Sequence, residues 1–270
     1  MRLAGYQPQY FPRLHYFNRV MDADVFGIGD YLQFVRKHAY IMPDGTKKSG
    51  KSYQAHSPIK TAQGEFLLSI PARGKLLPIS QTAIDYTKHW AFKHLENIKL
   101  SYGRSPQFSR FFPEIEAILS PSYANLADLT MRTVYWGLIR LLSDEKITYS
   151  NLNIDYVNEL LRIKHPFRLK KIFIDSQAVP LAGKGKANEW IISLCRYAQV
   201  DEYLYGGSSH AAYMDLDLFE QAGIKPVLQQ WTCVPYHQKF YGLGFLPNLS
   251  IIDLVMNESL EVRQRVILGK

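Results

Sequence analysis

Cysteine is nearly absent: Cys195 and Cys233 are the two in 270 residues. A pair so few and so far apart supplies neither a disulfide framework nor a zinc clip, so a reducing, cytoplasmic location is the default expectation. Long apolar runs are missing too, and none approaches the roughly 18 residues that a membrane span needs. The chain enters MRLAGYQPQYF without a basic leader, an apolar segment and a small-residue cleavage site, so no secretory signal is read. The eight histidines show no metal spacing such as His-Glu-x-x-His, and no metal is expected. Leu181-Ala-Gly-Lys-Gly-Lys186 is basic and glycine-bearing but lacks the Gly-Lys-Ser/Thr ending of a P-loop. Neither an internal repeat nor a low-complexity linker divides the chain, so one compact α/β unit over 1–270 is expected.

What the chain does have is apolar bulk and positive charge. With 47% hydrophobic and 21% charged residues it can bury a substantial core. Its formal charge of +8 favours acidic partners: a nucleotide or sugar phosphate, nucleic acid, or an anionic membrane surface. The basic residues lie in short groups such as Arg36, Lys37 and His38 or Arg168, Lys170 and Lys171. Most of these read as solvated surface. No zinc-finger, basic-zipper or RNA-recognition signature accompanies them, which disfavours nucleic acid and leaves RNA binding, a charged tRNA as aminoacyl donor included, as a weaker alternative.

Met1 to Gly5 reads as a buried strand. Leu14, Phe17, Val20 and Met21 fall at helical spacing, so a helix starts near Pro12 or Arg13, and Ala23 to Ile28 reads as a second strand. That is a βαβ unit in about thirty residues. Residues 36–75 are an extended, partly β excursion with Phe66 to Pro71 as one strand, and 89–165 are a mainly helical block. Strands at Lys171–Asp175, Glu202–Tyr205 and Pro226–Gln230 alternate with helices at Ala187–Ala198 and Asp215–Ala222, and a final helix runs from Ser250 to Met256. The pattern predicts an α/β, Rossmann-like, mainly parallel sheet flanked by helices, with the helical block and the excursion inserted.

In open parallel sheets, ligands bind beyond the carboxyl ends of the strands. GYQPQYFPRLHYF occupies that place after the first strand. Pro8 and Pro12 stiffen it, Gln7 offers an amide, and Tyr10 and Tyr16 offer flat faces with hydroxyls; Phe17 reads as core. The arrangement is similar to the opening of nucleotidylyltransferase folds, with His15-Tyr16 in place of their phosphate-gripping pair and the first histidine of that motif absent. A second candidate loop is Tyr205-Gly-Gly-Ser-Ser-His210. Gly206 and Gly207 let backbone approach a ligand closely, and Ser208, Ser209 and His210, with Tyr213 beyond, are placed to hold phosphate or move a proton. Against this stands a plain capping turn. Lys184 is a candidate for anionic groups, Asn188 for a helix cap, and His237 for the same cleft.

GYQPQYFPRLHYF, ADVF, Asp30 with Leu32-Gln33-Phe34, Trp90, YGRSPQFSRFFP, NLADLT, YLYGG and NLSIIDLVMN together resemble the WbqC-like family, in order and over nearly the whole chain. Members accompany O-antigen and other surface-polysaccharide genes in bacteria. Some have been named glycine transferases or glycan-modification proteins. The resemblance therefore implies transfer of an aminoacyl or acyl group to an amino sugar or nucleotide-linked sugar. A non-catalytic nucleotide- or sugar-phosphate-binding protein of the same pathway is the alternative. The partners implied are a nucleotide- or phosphate-bearing small molecule and an amino sugar acceptor; no motif names a cofactor. On this reading Asp30, Gln7 and His210 would be catalytic, and Pro8, Tyr10, Tyr16, Gln33, Lys184, Gly206, Gly207, Ser208, Ser209, Tyr213 and His237 would bind substrate. Gly29 stands where the family has the first aspartate of a DDVQF stretch, leaving Asp30 as the single carboxylate of that pair.

Overall fold

The computed structural model describes residues 1–41, 47–74, 76–180, 186–207 and 214–270. β1 (Arg2–Tyr6), α1 (Leu14–Met21) and β2 (Val25–Ile28) open the fold. Three antiparallel hairpins follow: β3 (Lys37–Ile41) with β4 (Lys47–Lys51), β5 (His56–Thr61) with β6 (Gly64–Ser69), and β7 (Ala72–Arg73) with β8 (Ala83–Ile84). The helical block holds α2 (Trp90–Tyr102), α3 (Phe108–Leu119), α4 (Leu126–Leu142) and α5 (Ile154–Leu160). Next come β9 (Lys171–Ile174), α6 (Asp175–Ala178), α7 (Ala187–Tyr197), β10 (Glu202–Tyr205), a helix at Leu216–Gln221 and β11 (Lys225–Leu228). Helices at Ile251–Asn257 and Leu260–Leu268 close the chain. The expected final helix is therefore followed by another, whose Arg263, Val266 and Ile267 are buried although its face is interrupted by charge.

Five strands form one parallel sheet in the order β11-β10-β1-β2-β9. Counted along the chain as sheet strands one to five, that is 5-4-1-2-3, the Rossmann arrangement. Everything between β2 and β9, hairpins and helical block alike, is an insertion into one crossover. The inner strands are buried on both faces, and alternation assigns their residues to two cores. Ala4, Phe26, Ile172 and Leu204 join α1 and α4 in the larger core. Leu3, Val25, Phe173 and Tyr203 face α7, with Trp190, Ile191 and Leu194, in the smaller one.

The Gln7–Pro12 segment is tied down along its length. The Phe11 amide donates to Thr133 Oγ1 at 3.0 Å, and its carbonyl accepts from Ser57 Oγ and Ser250 Oγ, each at 2.9 Å. Pro12 O accepts from the Ile251 amide, and the Leu14 amide donates to Leu249 O. These bonds hold Phe11 at φ 37°, a left-handed conformation that a bulky residue avoids and that costs about 1–3 kcal/mol. Its fully buried ring, against Trp136 and Tyr10, offsets this by about 1.5–3 kcal/mol. Nearby, Asp253 is wholly buried and accepts from Tyr102 and Tyr236 hydroxyls, both at 2.8 Å. Burial raises its carboxyl to about 6 despite those two hydrogen bonds.

Candidate functional site

In this strand order the connections diverge between β1 and β10, and a crevice opens there at the carboxyl ends. The pairing Arg2↔Glu202, Leu3↔Tyr203, Ala4↔Leu204, continued upward, sets Tyr6 beside Gly206. The first strand's tip and the start of the glycine loop are thus neighbours. Gln7, half-buried, follows directly, and its amide has no hydrogen-bond partner among the described residues.

Arg19 fills the crevice. It sits on α1 one turn beyond Tyr16 and is 5% exposed. Its guanidinium lies over the Tyr6 ring at 4.5 Å, and Nε donates to Gln229 Oε1 at 2.9 Å. Gln229, just past β11, is fixed in turn by donating to His15 O and Asn18 Oδ1. Gly206 is needed here: a β-carbon on it would fall 1.8 Å from Arg19 Nη2. Among the described residues no carboxylate lies within 4 Å of this guanidinium, and its two amino nitrogens have no hydrogen-bond partner. A buried guanidinium without an anion is an uncompensated charge, and it suits an incoming phosphate or carboxylate.

Two strands across the same edge, the charge preference reverses. Asp30, half-buried after β2, accepts from the Ser176 amide at 3.2 Å and Ser176 Oγ at 2.7 Å. Beside it, Asp175 begins α6 at the end of β9 and is 1% exposed. Its carboxylate presses on the backbone of β2: a β-carbon at Gly27 would lie 2.3 Å from Oδ1, and one at Gly29 would lie 3.5 Å from Oδ2. Among the described residues neither oxygen has a hydrogen-bond partner. Burial, and secondarily the Asp30 charge, push this carboxyl well above the usual range. Asp30 therefore has a second carboxylate next to it, contributed by β9 rather than by position 29. Tyr16 and Tyr31 also bury their hydroxyls without a hydrogen-bond partner among the described residues, and both feel the Asp175 charge.

The sequence-predicted residues divide into groups. Gln7, Asp30 and Gly206 lie together at the strand ends, with Gly207 exposed next to them. Pro8 is buried. Tyr10 has no open face: it is 0% exposed and its hydroxyl meets His94 Nδ1 at 2.9 Å. Tyr16 is enclosed by Tyr6, Phe17 and Phe26, so its ring is core and only its hydroxyl faces the edge. Aromatic residues at helical spacing have gone inward, as such stripes do. Gln33 is exposed and pairs with Pro78, and His237 is exposed beside Tyr241 and Glu258; neither is brought to the strand ends by these contacts. His15 is turned to Asn248, and burial, with Arg19 and Arg13 nearby, lowers its ring to about 4. A neutral imidazole so engaged does not grip phosphate. Asn188 lies inside α7, where its amide oxygen accepts from the Asp215 amide, and Lys186 takes the cap position. Lys184, Ser208, Ser209, His210 and Tyr213 lie outside the described residues.

Arg19, Asp175 and Ser176 were not singled out from sequence. The available signals were a lone arginine on an otherwise apolar helix face and an aspartate directly after the strand Lys-Ile-Phe-Ile. Among the described residues no group of three or more His, Cys, Asp or Glu side chains could hold a metal, and no helix is long and apolar enough to cross a membrane.

The family model described as WbqC-like protein family matches residues 7–151 and 133–265. Comparison with curated proteins and with solved structures returns no match.

Proposed function

The chain belongs to the WbqC-like protein family, and from that premise we propose that it transfers an acyl or aminoacyl group to an amine in surface-polysaccharide biosynthesis, holding the anionic part of a substrate at the β1–β10 crevice. Membership suggests a protein associated with polysaccharide clusters; the reaction is our reading. One observation carries it: the buried Arg19 guanidinium, lacking an anion among the described residues, at the switch point of a Rossmann-ordered sheet. Its fork suits a phosphate or diphosphate in two-point contact. Gln7 positions the adjoining polar groups. Asp30, steadied by Ser176, accepts the proton that the attacking nitrogen loses. The N–C bond forms as the bond from the acyl carbon to its ester, thioester or anhydride oxygen or sulfur breaks, and the electron pair leaves with that group.

The test is glycan mass spectrometry on cells carrying Asp30→Asn or Gln7→Ala, together with isothermal titration of inorganic pyrophosphate into wild type and Arg19→Ala. The expected results are loss of the modification in Asp30→Asn and at least tenfold weaker pyrophosphate binding in Arg19→Ala. Unchanged glycan at normal protein levels, or pyrophosphate binding indifferent to Arg19, refutes the assignment. Binding without turnover across donor and acceptor pairs would instead support a carrier.

A further inference from the structure

We infer that Asp175, with Tyr31 and Trp190, forms a binding site for the primary ammonium group of a substrate, on the α7 side of the sheet's carboxyl edge. The inference deepens the proposed amine-transfer reading and rests on it for the identity of the substrate, though not for the chemistry of the site.

Four polar atoms in this neighbourhood are buried without a hydrogen-bond partner among the described residues: both carboxylate oxygens of Asp175, the Tyr31 hydroxyl and the Trp190 indole N–H. Natural interiors satisfy such groups, so a cluster of them marks a place where something outside the chain binds. The rings of Tyr31 and Trp190 meet edge to face, with centroids 5.3 Å apart. Trp190 belongs to the smaller core, and Tyr31 packs against that core. The carboxylate and the aromatic pair together offer what an alkylammonium seeks: a charge partner, and π faces that attract cations.

The sign of the charge follows from the surroundings. Among the described residues the titratable groups facing Asp175 are Asp30 from the end of β2, Tyr31 just beyond it, and Tyr16 from α1. Among the described residues no lysine or arginine comes within 4 Å of either carboxylate. An anion is repelled there, and a neutral hydroxyl leaves the second oxygen unpaired. An ammonium donates up to three hydrogen bonds and lets Asp175 ionise in place. Burial raises this carboxyl above its ordinary range, and a cation beside it favours the ionised form.

The charge makes the test specific. Glucosamine and glycinamide are titrated calorimetrically into the full chain and into Asp175→Asn, alongside their N-acetylated forms. The titrations run at about pH 6, below the usual amine range. The free amines are expected to bind at least tenfold more tightly than the acetylated forms. Asp175→Asn, with its fold checked by thermal melting, is expected to lose the preference. Equal binding of amine and acetylated probes, no detectable binding of either amine, or a preference kept in Asp175→Asn would overturn the inference. Pyrophosphate titration of the same preparations separates the two readings. Intact anion binding with no amine preference refutes this site alone, and the converse refutes the Arg19 assignment alone.

Discussion

Substituting Gly206 with alanine tests whether the β1–β10 crevice is built around Arg19. The new methyl would sit 1.8, 2.4 and 2.8 Å from Nη2, Cζ and Nε of the guanidinium. Gly206 has no positive φ, so its backbone accepts alanine and the whole effect comes from the collision. Relief means sliding the guanidinium by more than an ångström. That breaks the 2.9 Å bond to Gln229 and lifts the charge from the Tyr6 ring. A hydrogen bond from a charged donor is worth about 1.5–3 kcal/mol and the ring contact about 0.5–1 kcal/mol. Stiffening the unfolded chain returns about 0.4–1 kcal/mol, for a net destabilisation of about 1–3 kcal/mol. Urea unfolding measures this, and pyrophosphate titration should show binding reduced at least tenfold. Gly223→Ala is the control: φ is +71° and nothing lies within 4 Å of the added carbon, so it costs about 1 kcal/mol in backbone strain and leaves binding alone. The decisive comparison places Gly206→Ala in an Arg19→Ala background, where the collision partner is gone and the substitution should become neutral or stabilising. An equal cost in both backgrounds would refute the reasoning.

Two further outcomes follow from the core. The Asp253 carboxyl is raised in the folded state to about 6, from an ordinary value near 4, so the native protein holds a proton that the unfolded chain releases. Stability should therefore fall as pH rises from about 4 through 6, by about 3 kcal/mol from this residue, and that part of the slope should vanish in Asp253→Asn in pH-dependent urea melts. Gly137→Ala on α4 would bring a methyl to 2.2 Å from Phe17 Cζ; overpacking of this kind costs about 1–3 kcal/mol, which thermal melting should record and Phe17→Leu should largely restore.

The fold was largely legible because periodicity reports burial, and burial made these elements. Short apolar runs ending in Gly or Asp marked β1, β2, β9 and β10, and the stripe Leu14, Phe17, Val20, Met21 marked α1. The helix Leu260–Leu268 escaped because Arg263 is buried in it, which blurs the apolar face. The candidate site was half legible for the complementary reason. Topology alone directs attention to strand ends, where the structure places Gln7, Asp30 and Gly206. Composition alone draws attention to rings and hydroxyls, and it misplaced Tyr10, whose ring the core took. The charged residues that distinguish this edge, Arg19 and Asp175, are single letters in apolar contexts. Their meaning lies in the lack of an opposite charge among the described residues, which no one-dimensional pattern displays.

That lack of opposite charge also constrains what can occupy the edge. Arg19 sits over β1 and against the start of the β10 loop, whereas Asp175 presses on β2 from the end of β9. Adjacent strands are about 4.8 Å apart, so the anion-seeking and cation-seeking groups are separated by about 10 Å along the sheet edge, on opposite faces. A sugar carrying phosphate and amine on neighbouring carbons spans only about 4 Å between those groups and cannot satisfy both. Two molecules can, one anchored by its phosphate at Arg19 and one by its ammonium at Asp175, with Asp30 between them at the end of β2. An edge that separates charge in this way is suited to bringing a donor and an acceptor together, and poorly suited to holding one small zwitterion. A single 2-amino sugar 1-phosphate should accordingly compete with pyrophosphate or with glucosamine in calorimetric displacement, but not displace both at one stoichiometric equivalent. Simultaneous displacement would place the two charged groups in one pocket and contradict the geometry of the sheet.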